Sequence, residues 1–214
     1  MKWSLSALGT FEKCQLQYRF RYIDKLPSQR GEAANRGVEK HKIFEDVMKG
    51  TLPELPSEYS YFNAMLKDLK TQENYAEHKI SLKRDWTPCP WEDPEVWFRG
   101  ILDLKVCSGN TASVYDWKTG RIYPDHDDQK SIYSLGVFAE EPAVQRVRAV
   151  HVYVDLGQQR EKIYDRGEMH GMRKQWEIRA SFLERTAPED MIPNPGFHCR
   201  YCPYSAQKGG PCRF

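Results

Sequence analysis

The segment Ser108-Gly109-Asn110-Thr111 separates two runs of strand-forming residues, Val96 to Cys107 and Thr111 to Trp117. A two-residue Gly-Asn loop of this kind closes a β-hairpin, with glycine supplying the positive backbone angle. If Ser108 faces Thr111, counting outward sets Asp103 across from Asp116 and Ile101 across from Lys118. Side-chain alternation then puts Asp103, Asp116 and Lys118 on one side of the sheet. Cross-strand partners approach to roughly 4.5–5.5 Å at the β-carbons, where like charges destabilise the pair. Two facing carboxylates therefore need compensation. A divalent cation that prefers oxygen, Mg²⁺ or Mn²⁺, provides it, and Lys118 neutralises further charge or orients water. The alternative is a solvated face on which Lys and Asp simply pair. Against it stands the setting of Asp116, in Val114-Tyr115-Asp116-Trp117-Lys118, at the end of an otherwise apolar strand.

The rest of the chain reads as helices, then this strand-rich middle, then helix, strands, helix and an irregular tail. Apolar residues from Leu5 to Ile23 recur at helical spacing after Ser4 or Ser6, which predicts one helix from Ser4 to about Ile23. Further helices are expected over Ala33 to Met48, ended by Gly50, and over Glu58 to Leu69. A strand begins near His78. After the hairpin a helix runs from Asp127 to Glu140, between Pro124 and Pro142. Strands follow over Val147 to Asp155 and Glu161 to Tyr164, then a helix near Met169 to Leu183. From Pro193 onward Pro and Gly rule out regular structure.

At 214 residues the chain suits one domain with a full core and a short extension. Lys and Arg number 32 against 30 Asp and Glu, so a formal charge of +2 excludes a globally basic polyanion binder, and any nucleic-acid surface must be local. The start Met1-Lys2-Trp3-Ser4-Leu5 lacks the apolar stretch of a signal peptide, and no segment approaches a membrane span. The expected location is cytoplasmic. There the six cysteines stay reduced, which favours metal binding or catalysis over disulfides.

The pair Asp103 and Asp116-Trp117-Lys118-Thr119-Gly120 resembles the acid and D-x-K motifs of the RecB-like branch of the PD-(D/E)XK nucleases. Two more segments strengthen the resemblance. Arg36-Gly37-Val38-Glu39-Lys40-His41-Lys42-Ile43-Phe44-Glu45 is similar to the family's first motif, whose histidine ligates metal. Gln129 and Tyr133, at i and i+4 on one helix face, resemble the branch's QxxxY motif. The resemblance implies an α/β fold, a mixed sheet flanked by helices, with a nuclease core over 33–187 of a single domain. It implies hydrolysis of DNA phosphodiesters by metal-activated water, with His41, Asp103 and Asp116 holding Mn²⁺ or Mg²⁺. Lys118 positions the water or stabilises developing charge, and Gln129 and Tyr133 contact substrate or support Lys118. A histidine ligand shifts preference toward Mn²⁺. A structural histidine, or a core tyrosine beside a polar residue, would be the reading of these positions taken singly.

Cys199-Arg200-Tyr201-Cys202 is a ligand-type pair, with Cys212 beyond it and Cys14 far upstream. One cysteine at the start and three at the end resemble the iron-sulfur exonuclease subgroup of this branch, which includes AddB-type, CRISPR-associated and phage members. There four thiolates hold a [4Fe-4S] cluster. Such a clip would join segments 1–30 and 190–214, the second of which buries too little surface to order itself. A Cys₄ zinc site remains open, although zinc usually takes two close pairs. Cys89 and Cys107 stand outside the set. The expected partners are DNA, single-stranded or with ends, and a helicase, recombination or CRISPR-adaptation protein, with no membrane. Arginines and aromatics alternate over Tyr18, Arg19, Phe20, Arg21 and Tyr22, which suits phosphates and stacked bases or simply an amphipathic helix. A non-catalytic iron-sulfur DNA-binding subunit and a redox protein are the rival readings.

Overall fold

A computed structural model describes residues 2–28, 32–123 and 126–214. Met1 and Pro124 lie outside these residues. The chain forms two compact units, one comprising Glu32–Lys174 and the other Trp3–Gly31 with Gln175–Phe214.

The larger unit is built on a five-stranded sheet in the order β1 (Glu73–Leu82), β2 (Phe98–Ser108), β3 (Thr111–Lys118), β4 (Arg146–Tyr153) and β5 (Gln158–Asp165). The sheet is mixed: β3 and β4 run parallel and the other pairs antiparallel. The parallel pair needs a crossover, which is the helix His126–Glu140. The hairpin closes as its turn chemistry dictates. Ser108 faces Thr111, and Gly109 takes φ 59°.

One face of the sheet is covered by a helix over Glu32–Lys49, which Gly50 terminates at φ 78°, and by a second helix over Asn63–Lys70. Phe44, Val47, Leu66 and Leu69 pack there on Leu104, Val106, Tyr115, Trp117, Val150 and Val152. The part expected as one helix from Glu58 begins instead as a 3-10 turn over Ser57–Phe62, with Pro56 before it. Most other boundaries fall within a few residues of the hydrophobic pattern, and β1 starts earlier, at Glu73. Strand β5 is exposed at almost every position, Tyr164 excepted. A further helix, Met169–Arg185, follows a capping box in which the Asp165 N–H is accepted by Glu168 at 2.8 Å.

In the smaller unit the predicted single helix from Ser4 to Ile23 is broken. Numbered in chain order, α1 (Leu5–Lys13) starts at Ser4, whose hydroxyl accepts from the Ala7 N–H at 3.3 Å. Cys14 then adopts extended backbone, φ −163° and ψ 110°, before α2 (Gln15–Tyr18) and a π-helical turn over Arg19–Ile23. The helices of the larger unit are accordingly α3 (Glu32–Lys49), α4 (Asn63–Lys70) and α5 (His126–Glu140), and Met169–Arg185 is α6. The break lets Cys14 face the tail, where its Sγ accepts from the Asn194 N–H at 3.5 Å and the Leu16 N–H donates to Ile192 at 3.1 Å. The alternating aromatics after it are partly used in packing. Tyr18 is buried and lies tilted against Tyr22 at 5.0 Å between ring centroids, and Phe20 lies edge-on to Tyr204. They do not form a free stripe. No helix among the described residues is long and apolar enough to cross a membrane.

Candidate active site

The site begins where β2 and β3 part. Their ladder holds from Ser108↔Thr111 to Leu104↔Tyr115 and stops one pair short of Asp103 and Asp116. At that point the Asp103 carboxylate replaces a backbone carbonyl: its Oδ2 accepts from the Trp117 N–H at 2.7 Å. The same oxygen lies 3.2 Å from Nδ1 of His41, on α3. His41 thus reaches the strand from the helix that covers the opposite core. Its pKa is raised: burial acts against the charged ring, but the hydrogen bond and charge of Asp103 outweigh it.

Asp116 occupies the buried end of the pair. Oδ1 accepts from Nε2 of Gln129 at 2.5 Å, and Oδ2 faces the Lys118 ammonium at 2.7 Å. Lys118 in turn donates to Oε1 of Gln129. Gln129 on α5 therefore ties carboxylate to ammonium through one amide, using its donor and its acceptor at once. Burial pushes the Asp116 carboxyl up, only partly opposed by Lys118, and the Asp103 charge adds to the rise. Tyr133, one turn further along α5, is buried against Gly100, where a β-carbon would come within 2.8 Å of its ring. Burial raises its phenol well above the ordinary range. His41, Asp103, Asp116, Lys118 and Gln129 are thus brought together by direct contacts, with Tyr133 behind them.

Three further features were not singled out from sequence. His151 on β4 is paired in register with Asp116 and buried, and its charge favours ionised Asp116. A polar residue inside the apolar run Val150-His151-Val152 was the available signal. Lys40 pairs with Asp155, whose other oxygen accepts from the Gly120 N–H at 2.8 Å, fixing the loop after Lys118 to α3. Glu77 sits in β1 with φ 55°, which no sequence pattern announces.

Among the described residues no group of three His, Cys, Asp or Glu side chains is arranged to hold a metal ion as it stands. The donor chemistry nonetheless suits a hard divalent cation, because Mg²⁺ retains several waters and needs only one or two carboxylates. Oδ2 of Asp116 is closed off from solvent, and the Lys118 ammonium lies against it at 2.7 Å.

In the smaller unit Cys14, Cys199, Cys202 and Cys212 all line one cavity, together with Leu16, Phe20 and Tyr204. The cysteines are free thiols. Sγ of Cys199 accepts from the Gly196 N–H at 3.4 Å, matching the N–H that Cys14 receives from Asn194. Burial pushes the Cys202 thiol up, and its three neighbours add to the rise. Four thiols lining one cavity are the donor set that both a [4Fe-4S] cluster and a tetrahedral Cys₄ zinc site use. Cys89 and Cys107 lie elsewhere, Cys89 held by the Ser81 hydroxyl at its carbonyl, 2.6 Å away.

No curated protein matches the chain. Among solved structures, a protein from Eubacterium rectale, provisionally assigned as an exonuclease, superposes with a TM-score of 0.55 at 12% identity, over 94% of this chain and 86% of that one. The protein SSO0001 gives a TM-score of 0.48 at 15% identity, over 94% and 82%, too distant to bear on the fold. The family model of the PD-(D/E)XK nuclease superfamily matches residues 2–207, nearly the whole sequence. With this match added to the Asp103, Asp116 and Lys118 arrangement on a mixed five-stranded sheet, the chain belongs to the PD-(D/E)XK nuclease superfamily.

Proposed function

We propose that this protein is a metal-dependent deoxyribonuclease that acts on single-stranded DNA or DNA ends, with a [4Fe-4S] cluster on its four clustered cysteines. The observation that carries the nuclease reading is the closed circuit of Asp116, Gln129 and Lys118 beside the Asp103 and His41 pair. His41, Asp103 and Asp116 would hold Mn²⁺ or Mg²⁺. When bound, the cation supplies Lewis acidity toward the phosphate and lowers the pKa of the attacking water. The chain's own residues set the geometry. Gln129 fixes the Lys118 ammonium, so that a preorganised positive charge meets the charge developing on the phosphate without reorganisation. Trp117 holds Asp103 through its N–H, and Asp155 with Lys40 anchors the loop that follows Lys118.

DNA as the partner is supported by the surface of the tail. From Met191 to Phe214 the sequence contains no Asp or Glu but includes Arg200, Lys208 and Arg213. Phe197 and Tyr201 are 73% and 70% exposed there, and the Arg200 guanidinium lies 4.5 Å over the Phe197 ring. Exposed rings among cations suit stacked bases and phosphates. The cluster is supported by the shared cavity of the four thiols and by the N–H groups directed at Cys14 and Cys199.

The test is incubation of anaerobically purified protein with end-labelled single- and double-stranded DNA. Cleavage is expected with Mn²⁺ at least as fast as with Mg²⁺, and none in excess EDTA. Cleavage that persists in EDTA, or in Lys118→Ala protein, would overturn the reading.

A further inference from the structure

We infer that the open end of the β1–β2 sheet face beside Asp103 is a track for single-stranded DNA, on which Trp91 stacks a base and Lys79 meets a backbone phosphate. The inference rests on the nuclease reading of the Asp103 site and specifies which form of DNA that site receives. From His78↔Leu102 to Leu82↔Phe98 the two strands pair without interruption. His78 meets Glu140 at 2.7 Å, Ile80 fills the space a β-carbon at Gly136 would need, and a β-carbon at Gly100 would meet Tyr133. This set therefore lies on the α5 side. Lys79, Ser81, Arg99 and Ile101 alternate with it and face the other way. Asp103 shares their face, since its carboxylate reaches His41 on α3. Lys79 and Ile101 stand directly across from each other and are both exposed, Ile101 at 38%. The face that α3 and α4 cover further along the sheet is thus bare here.

The connection from β1 to β2, residues 83–97, closes the far end of this face. The Ser81 hydroxyl donates to the Cys89 carbonyl at 2.6 Å, and the Arg99 guanidinium donates to the Trp91 carbonyl and, at 3.2 Å, to Glu92. These bonds bring the Trp91 ring to the strands. Arg99 lies 4.8 Å from its centroid, and the Lys79 ammonium lies 5.2 Å from it. Trp91 itself is only half-buried. Arg99 is tied to the backbone of Trp91 and so positions the indole, whereas Lys79 is held by the ring alone among the described contacts. Lys79 and Ile101 form the floor, with Trp91 at one end and Asp103 at the other. Arg99 and Asp103 are about 13 Å apart at the rise of a strand. That span takes about four nucleotides stacked at about 3.4 Å each.

Charge and shape select the occupant. The acids of the connection are already paired, Glu92 with Arg99 and both Asp93 and Glu95 with Lys83. Lys79 has no acid among its described contacts. An uncommitted ammonium beside a half-buried indole and an exposed isoleucine matches a phosphate next to an unpaired base. Such a base stacks on an aromatic ring whatever its identity, because every base has a π-face. Bases inside a duplex are stacked on one another and must be extruded before a side chain can take them. Trp91 therefore adds affinity for single strands and none for duplex, and the strand it holds runs toward Asp103.

The test is fluorescence anisotropy of a labelled oligothymidine and of a labelled blunt hairpin duplex, in excess EDTA and over a range of salt. The proteins are wild type, Lys79→Gln, Trp91→Ala and Trp91→Phe. Trp91→Ala should bind oligothymidine roughly five- to a hundredfold more weakly and duplex as wild type does, and Trp91→Phe should restore most of the loss. Lys79→Gln should lower the slope of log affinity against log salt on oligothymidine by about 0.7, the share of one phosphate on a single strand. Lys79 is exposed and touches only the ring, so this variant should keep the wild-type melting temperature, and its slope decides the matter even where Trp91→Ala fails to fold. An unchanged slope in Lys79→Gln would overturn the track. So would a folded Trp91→Ala protein that binds both DNAs as wild type does, or loses both equally. Either result, with wild type still cleaving DNA in Mn²⁺, leaves the nuclease reading standing. A wild-type protein that neither binds DNA nor cleaves it in Mn²⁺ would overturn that reading and the track with it.

Discussion

Asp116 is 3% exposed, and its carboxyl is shifted toward the neutral form by the loss of water around it. Burying a charge in this way weighs against folding unless the charge is met. In the metal-free protein Lys118, with His151 and the Gln129 amide, meets it only in part. Asp116→Asn keeps an oxygen for the Gln129 amide and removes the buried charge. The metal-free variant should therefore melt at or above the wild-type temperature, while cleavage falls on the order of 10²–10³-fold or more. Addition of Mn²⁺ should raise the melting temperature of wild type and not of the variant, since only a ligand bound by the folded state stabilises it. A variant that melts lower and still cleaves would contradict both parts. At this scale the sequence is informative wherever residues sit in regular register. Turn chemistry and counting give the β2–β3 pairs from Ser108↔Thr111 to Leu104↔Tyr115, but the ladder ends one pair short of Asp103 and Asp116, so that Asp103 turns to the Trp117 N–H while Asp116 meets Gln129 and Lys118.

At the scale of elements, α5 both delivers Gln129 and covers the sheet, so its closeness to the strands matters to the site. Gly136 permits that closeness: a β-carbon there would lie 2.6 Å from Cδ1 and 2.8 Å from Cγ2 of Ile80, a fully buried side chain. Helix propensity argues for Gly136→Ala, worth about 1 kcal/mol in a helix interior. Overpacking a branched core residue costs about 1–3 kcal/mol, so the net change should be destabilising by up to about 2 kcal/mol. Chemical denaturation measures it. Equal or greater stability would mean that Ile80 finds another rotamer without strain. If α5 shifts outward to make room, the variant should also lose cleavage. Periodicity finds helices such as α3 and α5 because their core faces repeat. It misses the break at Cys14 because apolar residues on both sides keep helical spacing while one cysteine leaves the helix to line a cavity.

The cysteines act at the scale of the whole chain, since Cys14 and Cys212 are neighbours in space but stand near opposite ends of the sequence. The tail from Pro193 to Phe214 has few buried apolar side chains, Tyr204 being one, and its regular structure is limited to short 3-10 turns. Ordering such a segment costs roughly 1–2 kcal/mol per residue in backbone entropy, which so little burial does not offset. The proposed four-thiolate cluster would offset it, because ligand binding that exists only in the folded state is folding free energy. Loss of any one thiolate should then have a similar effect wherever it lies in the sequence. We expect Cys14→Ser to lower iron content and melting temperature as much as Cys199→Ser, Cys202→Ser or Cys212→Ser does, and Cys89→Ser and Cys107→Ser to leave iron unchanged. Iron, sulfide and zinc analysis with thermal melting on all six variants, prepared without oxygen, decides the matter. Equal iron and sulfide in wild type supports the cluster, whereas stoichiometric zinc would replace it with a Cys₄ zinc site. A Cys14→Ser protein with full metal and wild-type melting would show that the first helical segment is ordered against the tail by packing alone.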